Sequence, residues 1–161
     1  GGQWERALEL LDEMQQRGIE PNVMSYSAAI SACELSGELT HAAKLLLQAN
    51  HAFPNIKRKG PNAIDLHDLS APVARTVVRT TLANVRRRSS IDQYEDLTII
   101  TGCGKHSVDN EAVLRPAIHT MFRDSSEFHG QIECEHDAKN PGRLIIPGSA
   151  IRRWREVLSD E

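Results

Sequence analysis

Asp65 and His67 stand two residues apart at the end of one short apolar run, and Thr101-Gly102-Cys103-Gly104-Lys105-His106-Ser107 closes another. A carboxylate, two imidazoles and an ammonium can fill the roles of phosphodiester cleavage. It takes a base for the nucleophile, an acid for the leaving oxygen and positive charge for the anion that develops. In that reading His67 and His106 exchange protons. Asp65 either orients a histidine or holds a divalent metal, for which Mg2+ is the candidate, and no organic cofactor is called for. Gly102, Gly104 and Lys105 hold phosphate, because glycines let backbone N–H groups approach it, and Ser107 adds a hydroxyl to the same nucleic-acid contact.

The elements that must carry these residues can be read from the same stretches. Leu97 to Ile100 is rich in β-branched residues and too short for a helix, which fits a buried strand. The glycine turn then lies at its carboxyl end, where ligands bind in open α/β sheets. Ala63 to Leu66 reads as a second strand. Alternation puts Asp65 and His67 on one face and Ile64 and Leu66 on the other, and His106 and Lys105 fall beside that pair if the two strands are neighbours.

Between them, Ser70 can cap a helix with Pro72 in its first turn, and Val73, Val77, Val78, Leu82 and Val85 give it an apolar stripe for the sheet. That helix ends near Arg86-Arg87-Arg88, where arginines also suit the negative helix terminus. Val113 to Phe122 reads as a further helix. Gln131 to Asp137 and Arg143 to Ile146 read as strands joined at Asn140-Pro141-Gly142, whose proline and glycine suit a type II turn. Ala150 to Leu158 makes a terminal helix anchored by Trp154. Strand, helix, strand, helix, strand, strand is the resulting order.

The first part of the chain is different in kind. Gly2 to Leu11 overlays Gly37 to Leu46, matching Gly2 with Gly37, Ala7 with Ala42, Leu10 with Leu45 and Leu11 with Leu46. A shift in the mid-thirties marks helical-hairpin solenoids. Trp4, Ala7, Leu8, Leu11 and Met14 follow helical spacing, Gly18 to Asn22 supplies a stop and turn, and Tyr26, Ala29, Ile30 and Cys33 share a face of the next helix. His51 to Pro61, with two prolines and the Lys57-Arg58-Lys59 cluster, reads as a linker with a basic patch.

Composition limits what the whole can do. Over 161 residues, 40% are apolar and 25% charged, as in ordinary globular chains, and a net charge of −3 argues against a nucleic-acid binder working by bulk charge. Any such contact must be local. Three widely spaced cysteines, Cys33, Cys103 and Cys134, fit neither a disulfide framework nor a zinc motif. No apolar stretch has the length of a membrane span, so no membrane contact is expected. Cys134 and His136 would share a strand face, but two ligands do not make a zinc site. His119 and His129 read as surface residues.

Gly18-Ile19-Glu20-Pro21-Asn22-Val23-Met24-Ser25-Tyr26, together with the repeat length, resembles the pentatricopeptide repeat (PPR) family. Ile64-Asp65-Leu66-His67 and Thr101 to Ser107 resemble the paired Leu-Asp-x-His-Gly and Thr-Gly-x-Gly-x-His-Ser motifs of the small MutS-related (Smr) domain. These resemblances imply α plus α/β architecture: a helical-hairpin solenoid over residues 1–50, a linker over 51–61, a two-layer βαβαββ Smr domain over 62–148 and a terminal helix over 149–161.

The first resemblance implies binding of single-stranded RNA at about one base per repeat, with Ser27 at a base-selecting position and Asn22 at the last position of the preceding repeat. The second implies nicking or endonuclease activity, with Asp65 the matched residue most often credited. Together they imply a plant or algal type of protein working on RNA in the chloroplast or mitochondrion, with further repeats expected upstream. A non-catalytic adaptor that binds RNA or protein is the alternative, and a DNA-nicking, repair-related module is a more distant one. The chain departs from the Smr pattern at Asp68, where the family has glycine. That change puts a negative charge beside the proposed phosphate site, and weaker cleavage is expected from it. Cys103 stands where the family often has a larger side chain.

Overall fold

A computed structural model describes residues 2–53, 56, 62–87, 95–103, 112–128 and 130–157. The elements run α1 (Gln3–Gln16), α2 (Val23–Leu35), α3 (Leu39–Gln48), β1 (Ala63–Asp65), α4 (Ala71–Arg87), β2 (Leu97–Ile100), α5 (Leu114–Asp124), β3 (Glu135–His136), β4 (Arg143–Ile146) and α6 (Gly148–Val157), with single 3-10 turns at Ala49–His51 and Ser126–Phe128. Contacts divide the chain into two compact units: Gly1–Pro54 with Pro72–Thr80, and Asn55–Ala71 with Thr81–Glu161.

In the first unit α1, α2 and α3 pack in succession. The overlay of Gly2 to Leu11 on Gly37 to Leu46 sets α1 against α3, and the ends of α1 and α2 separately share one backbone geometry. Ile19 N–H donates to Met14 O at 2.8 Å past Gly18, and Glu38 N–H donates to Cys33 O at 2.8 Å past Gly37, so α1 and α2 close with the same left-handed turn. Tyr26, Ala29, Ile30 and Cys33 are all buried, as their shared face requires. Of the stripe on α1, only Leu11 is buried, while Trp4, Ala7, Leu8 and Met14 are half-covered. Trp4 lies against His41 of α3, with ring centroids 5.1 Å apart.

Glu34 and Thr76 are buried polar residues of this unit, and Glu34 is the charged one. It is buried near the end of α2 and accepts a two-pronged hydrogen bond from Arg75 and a third, at 3.0 Å, from Arg79. Burial pushes its carboxyl up, but the hydrogen bonds and charges of Arg75, then of Arg79, outweigh this and hold it below the usual range. Of the α4 stripe, Val73, Val77, Val78 and Leu82 are buried and Val85 is half-covered; residues 72–80 group with the first unit, where Arg75 and Arg79 meet Glu34, and Leu82 and Val85 group with the second.

The second unit holds a mixed sheet in the order β1-β2-β4-β3, with β1 parallel to β2 and β4 antiparallel to both its neighbours. Register places Ile64, Ile99, Leu144 and His136 in one row and Asp65, Ile100 and Arg143 in the next, on the opposite face. Ile64, Ile99 and Leu144 are almost wholly buried, while Ile100 is half-covered and Arg143 exposed. One face therefore carries the core. Phe122 of α5 meets Phe128 at 4.9 Å between ring centroids, Phe128 meets Trp154 of α6 at 5.7 Å, and the indole N–H donates to Glu127 O at 2.9 Å. Trp154 is thus the anchor that its position suggested. Asp96, just ahead of β2, accepts the Gly148 N–H at 2.9 Å and so ties the start of α6 to the sheet.

Two local expectations change. The strand expected over 131–137 is reduced to Glu135–His136, which pair with Ile145 and Leu144, with one further bond from Asp137 N–H to Arg143 O at 3.3 Å; Ile132 ahead of it is buried in the core. The turn at Asn140-Pro141-Gly142 closes with Arg143 N–H donating to Asn140 O at 3.0 Å. It is not type II, since Gly142 lacks the left-handed φ which that turn requires.

Glu34→Ala leaves two half-buried guanidinium groups without their acceptor and is expected to cost about 3 kcal/mol in denaturant unfolding. Because its folded pKa is depressed, the contribution of Glu34 is complete above the ordinary glutamate pKa and is lost as pH falls through the lower folded value. Unfolding measured over the acidic range should show a shallower pH dependence in the variant than in the parent.

Candidate functional site

β1 ends at Asp65, and one further ladder bond, Leu66 N–H to Ile100 O at 2.9 Å, carries the pairing to the edge of a turn. His67 and Asp68 occupy that turn, so His67 reaches Asp65 by a chain reversal and not by the strand pleat that alternation implied. Asp65 is 3% exposed. Its Oδ1 lies 2.6 Å from His67 Nδ1 and also accepts the His67 backbone N–H at 3.4 Å. The ring is thereby oriented, with Nδ1 committed to a buried carboxylate and Nε2 left on the exposed side. Asp68 then covers that nitrogen, with Oδ2 at 3.0 Å from Nε2.

The second motif arrives from β2. Gly102 has φ +72°, and a Cβ placed on it would lie 3.2 Å from His67 Cβ. Backbone conformation and close approach both require glycine here. The Thr101 and Gly102 N–H groups donate to Gly142 O at 2.8 and 3.2 Å, and the Thr101 hydroxyl donates to the same oxygen at 3.2 Å. Gly142 in turn is crowded: a Cβ there would meet Cys103 Sγ at 3.1 Å and the Gly102 carbonyl carbon at 3.3 Å. Three turns therefore converge on one end of the sheet, at 65–68, 101–103 and 140–142. The third was read from sequence only as a hairpin turn. Its Pro-Gly pair was the available signal, but nothing local tied it to Gly102.

Of the residues singled out for chemistry, Asp65, His67 and Gly102 are brought together. Gly104, Lys105, His106 and Ser107 lie outside the described residues, as does the Lys57-Arg58-Lys59 cluster. Asn22 caps α2: its Oδ1 accepts from the Met24 and Ser25 N–H groups at 2.9 and 3.1 Å. Ser27 lies half-buried on the same helix.

His119 is not the surface residue that was expected. It is half-buried, with Nδ1 at 3.2 Å from Cys134 Sγ and its ring 5.2 Å from that of His136. Burial pushes the Cys134 thiol up to about 11, so it stays protonated at neutral pH, and the His119 tautomer decides which group donates across this contact. Among the described residues no group of three or more His, Cys, Asp or Glu side chains is arranged to hold a metal ion, and no helix is long and apolar enough to cross a membrane.

A parallel strand pair with the Asp-x-His and Thr-Gly turns at its carboxyl end, on a sheet with one buried face, defines an α/β module behind a helical repeat. Family models match both parts: the PPR repeat family over residues 1–34 and the Smr domain over residues 64–147. The second match covers just over half of the chain, which belongs to the Smr domain family. No curated protein matches it. The PPR repeat implies nucleic-acid binding, specifically of RNA, and the Smr domain suggests a nuclease-like module.

Gly102→Ala should cost about 1 to 2 kcal/mol in a denaturant titration, from the left-handed φ alone. The larger sign of damage should be at His67, whose Cβ must give way to the added methyl group. Its NMR resonances should shift while those of the first unit stay in place.

Proposed function

We propose that this chain selects single-stranded RNA with its PPR repeat and cleaves it at the Asp65–His67 end of the Smr sheet, as part of RNA processing in the chloroplast or mitochondrion. The observation that carries the proposal is the 2.6 Å contact between buried Asp65 and His67 Nδ1 beside the backbone of Gly102. A buried carboxylate that fixes the ring tautomer leaves Nε2 as the atom able to take a proton from an attacking hydroxyl or return one to a leaving oxygen. His106 is assigned the complementary proton step, and Lys105 and Ser107 the phosphate charge, on the strength of the motif alone.

Magnesium commonly takes one or two carboxylates together with phosphate oxygens, and Asp65 is the residue that would contribute here. Its Oδ1 faces His67 at 2.6 Å, so among the described residues Asp65 is placed as half of an imidazole–carboxylate pair. Asp68 supports a second reading. A carboxylate 3.0 Å from Nε2 stands where a phosphate must approach, which favours an RNA-binding adaptor that does not cut. Cleavage requires Asp68 to swing aside, and its exposed position allows this.

The test is to incubate the whole chain with labelled single-stranded RNA, duplex DNA and branched DNA, with magnesium and with chelator. Single-stranded RNA should be cut, and Asp65→Asn should lower the rate by about a hundredfold with unchanged RNA affinity. Asp68→Gly should raise it. Cleavage that survives Asp65→Asn undiminished overturns the mechanism, and RNA bound but cut by neither the parent nor Asp68→Gly selects the adaptor.

A further inference from the structure

Arg115 lies in the first turn of α5, half-buried, and its Nε is enclosed without a hydrogen-bond partner. Enclosure keeps an outside ligand from Nε itself, but the guanidinium carries a full charge with no carboxylate of the described residues against it, so its less enclosed terminal nitrogens are the donors that an anion would meet. One helical turn on, His119 shares its face, and the His119 ring stacks at 5.2 Å on His136 of β3. Burial first, then the positive charges of His136 and Arg115, hold His119 below its ordinary pKa, so the three side chains share one electrostatic neighbourhood. The other group against His119 is the protonated thiol of Cys134. Nearby acids are directed elsewhere: Glu135 alternates to the other face of β3, and Asp137 faces Arg143 at 3.9 Å.

This cluster sits at a telling place in the sheet. β4 runs opposite to both its neighbours, so the carboxyl end of β3, where His136 lies, is at the same end of the sheet as Asp65 on β1, one row short of it and on the opposite face, so a strand joining the two must pass over the sheet's end. The two edge strands are separated by three strand spacings, roughly 14 Å at about 4.8 Å each, the reach of a short run of nucleotides.

We propose that Arg115, His119 and His136 form a phosphate-binding site that holds the backbone of an RNA strand crossing the end of the sheet from Asp65. The proposal rests on the RNA-binding reading above and not on cleavage. The guanidinium supplies N–H donors in a fixed fork and the imidazoles supply N–H groups to the remaining phosphate oxygens, a pattern that an ammonium does not reproduce.

Fluorescence anisotropy of a labelled single-stranded RNA, measured on the full chain across a salt series, tests it. Arg115→Gln should weaken binding about tenfold and make the salt slope shallower by about 0.7. His136→Asn, at an exposed position, should weaken binding by a smaller factor with an unchanged melting midpoint, and it decides the matter if Arg115→Gln fails to fold. Folded variants with parental affinity and slope overturn the site. Titrating inorganic phosphate while following the His119 and His136 NMR signals separates the two sources of the anion: shifts with phosphate but no loss of RNA affinity in the variants overturn the strand assignment. If the parent binds RNA through Arg115 yet never cuts, the site stands and the cleavage reading falls. If Asp65→Asn abolishes cutting while Arg115→Gln binds as the parent does, the reverse holds.

Discussion

The parallel pairing of β1 with β2 brings the backbone of Gly102 against His67, closely enough that a methyl group on the glycine would lie 3.2 Å from the histidine Cβ. Everything proposed for this end of the sheet depends on that approach. It fixes where the imidazole can stand, and Asp65, at the last position of β1, fixes how it is turned. The three donors from Thr101 and Gly102 to Gly142 O then hold the second strand end in place. A rotation of one strand past the other would lose the glycine contact and the Gly142 contacts together, so the arrangement is held by steric fit as well as by hydrogen bonds.

Carboxylates are used in two opposite ways in this chain. Glu34 and Asp65 are buried and matched to donors, the first to Arg75 and Arg79 and the second to His67, so each holds a partner in one geometry. Asp68 is exposed and touches the other ring nitrogen of His67. An exposed carboxylate is weakly held because solvent competes for it. The contact most directly in the way of a phosphate is therefore also the one that a phosphate can displace at least cost.

Arg115 makes the converse case. The core of the second unit is built from aliphatic side chains and the Phe122, Phe128 and Trp154 rings, and its hydrogen-bonding groups are largely paired inside the chain. A guanidinium nitrogen left without an acceptor in such surroundings stands out from the pairing that folding otherwise achieves. With His119 and His136 beside it, the locus is suited to an anion, although the chain as a whole carries a net charge of −3. Local charge and overall charge thus point in different directions, and a ligand senses the local one within a Debye length.

Much of the architecture was legible in the residues themselves. Helical spacing in Tyr26, Ala29, Ile30 and Cys33 specifies a buried face, β-branched runs at 97–100 and 143–146 specify strands, and the glycines at 18 and 37 specify matching helix ends. These signals are local, since each depends on neighbours within a turn or a pleat, and the chain carries them wherever it goes. Asp65 with His67 belongs to the same class, being two residues apart. What the sequence could not determine were the meetings across long separations: Glu34 with arginines 41 and 45 residues away, Thr101 with a carbonyl 41 residues away, and His119 with Cys134 and His136. No periodicity encodes these contacts, because their partners are chosen by strand register and helix packing, and only the folded chain brings them within hydrogen-bond reach.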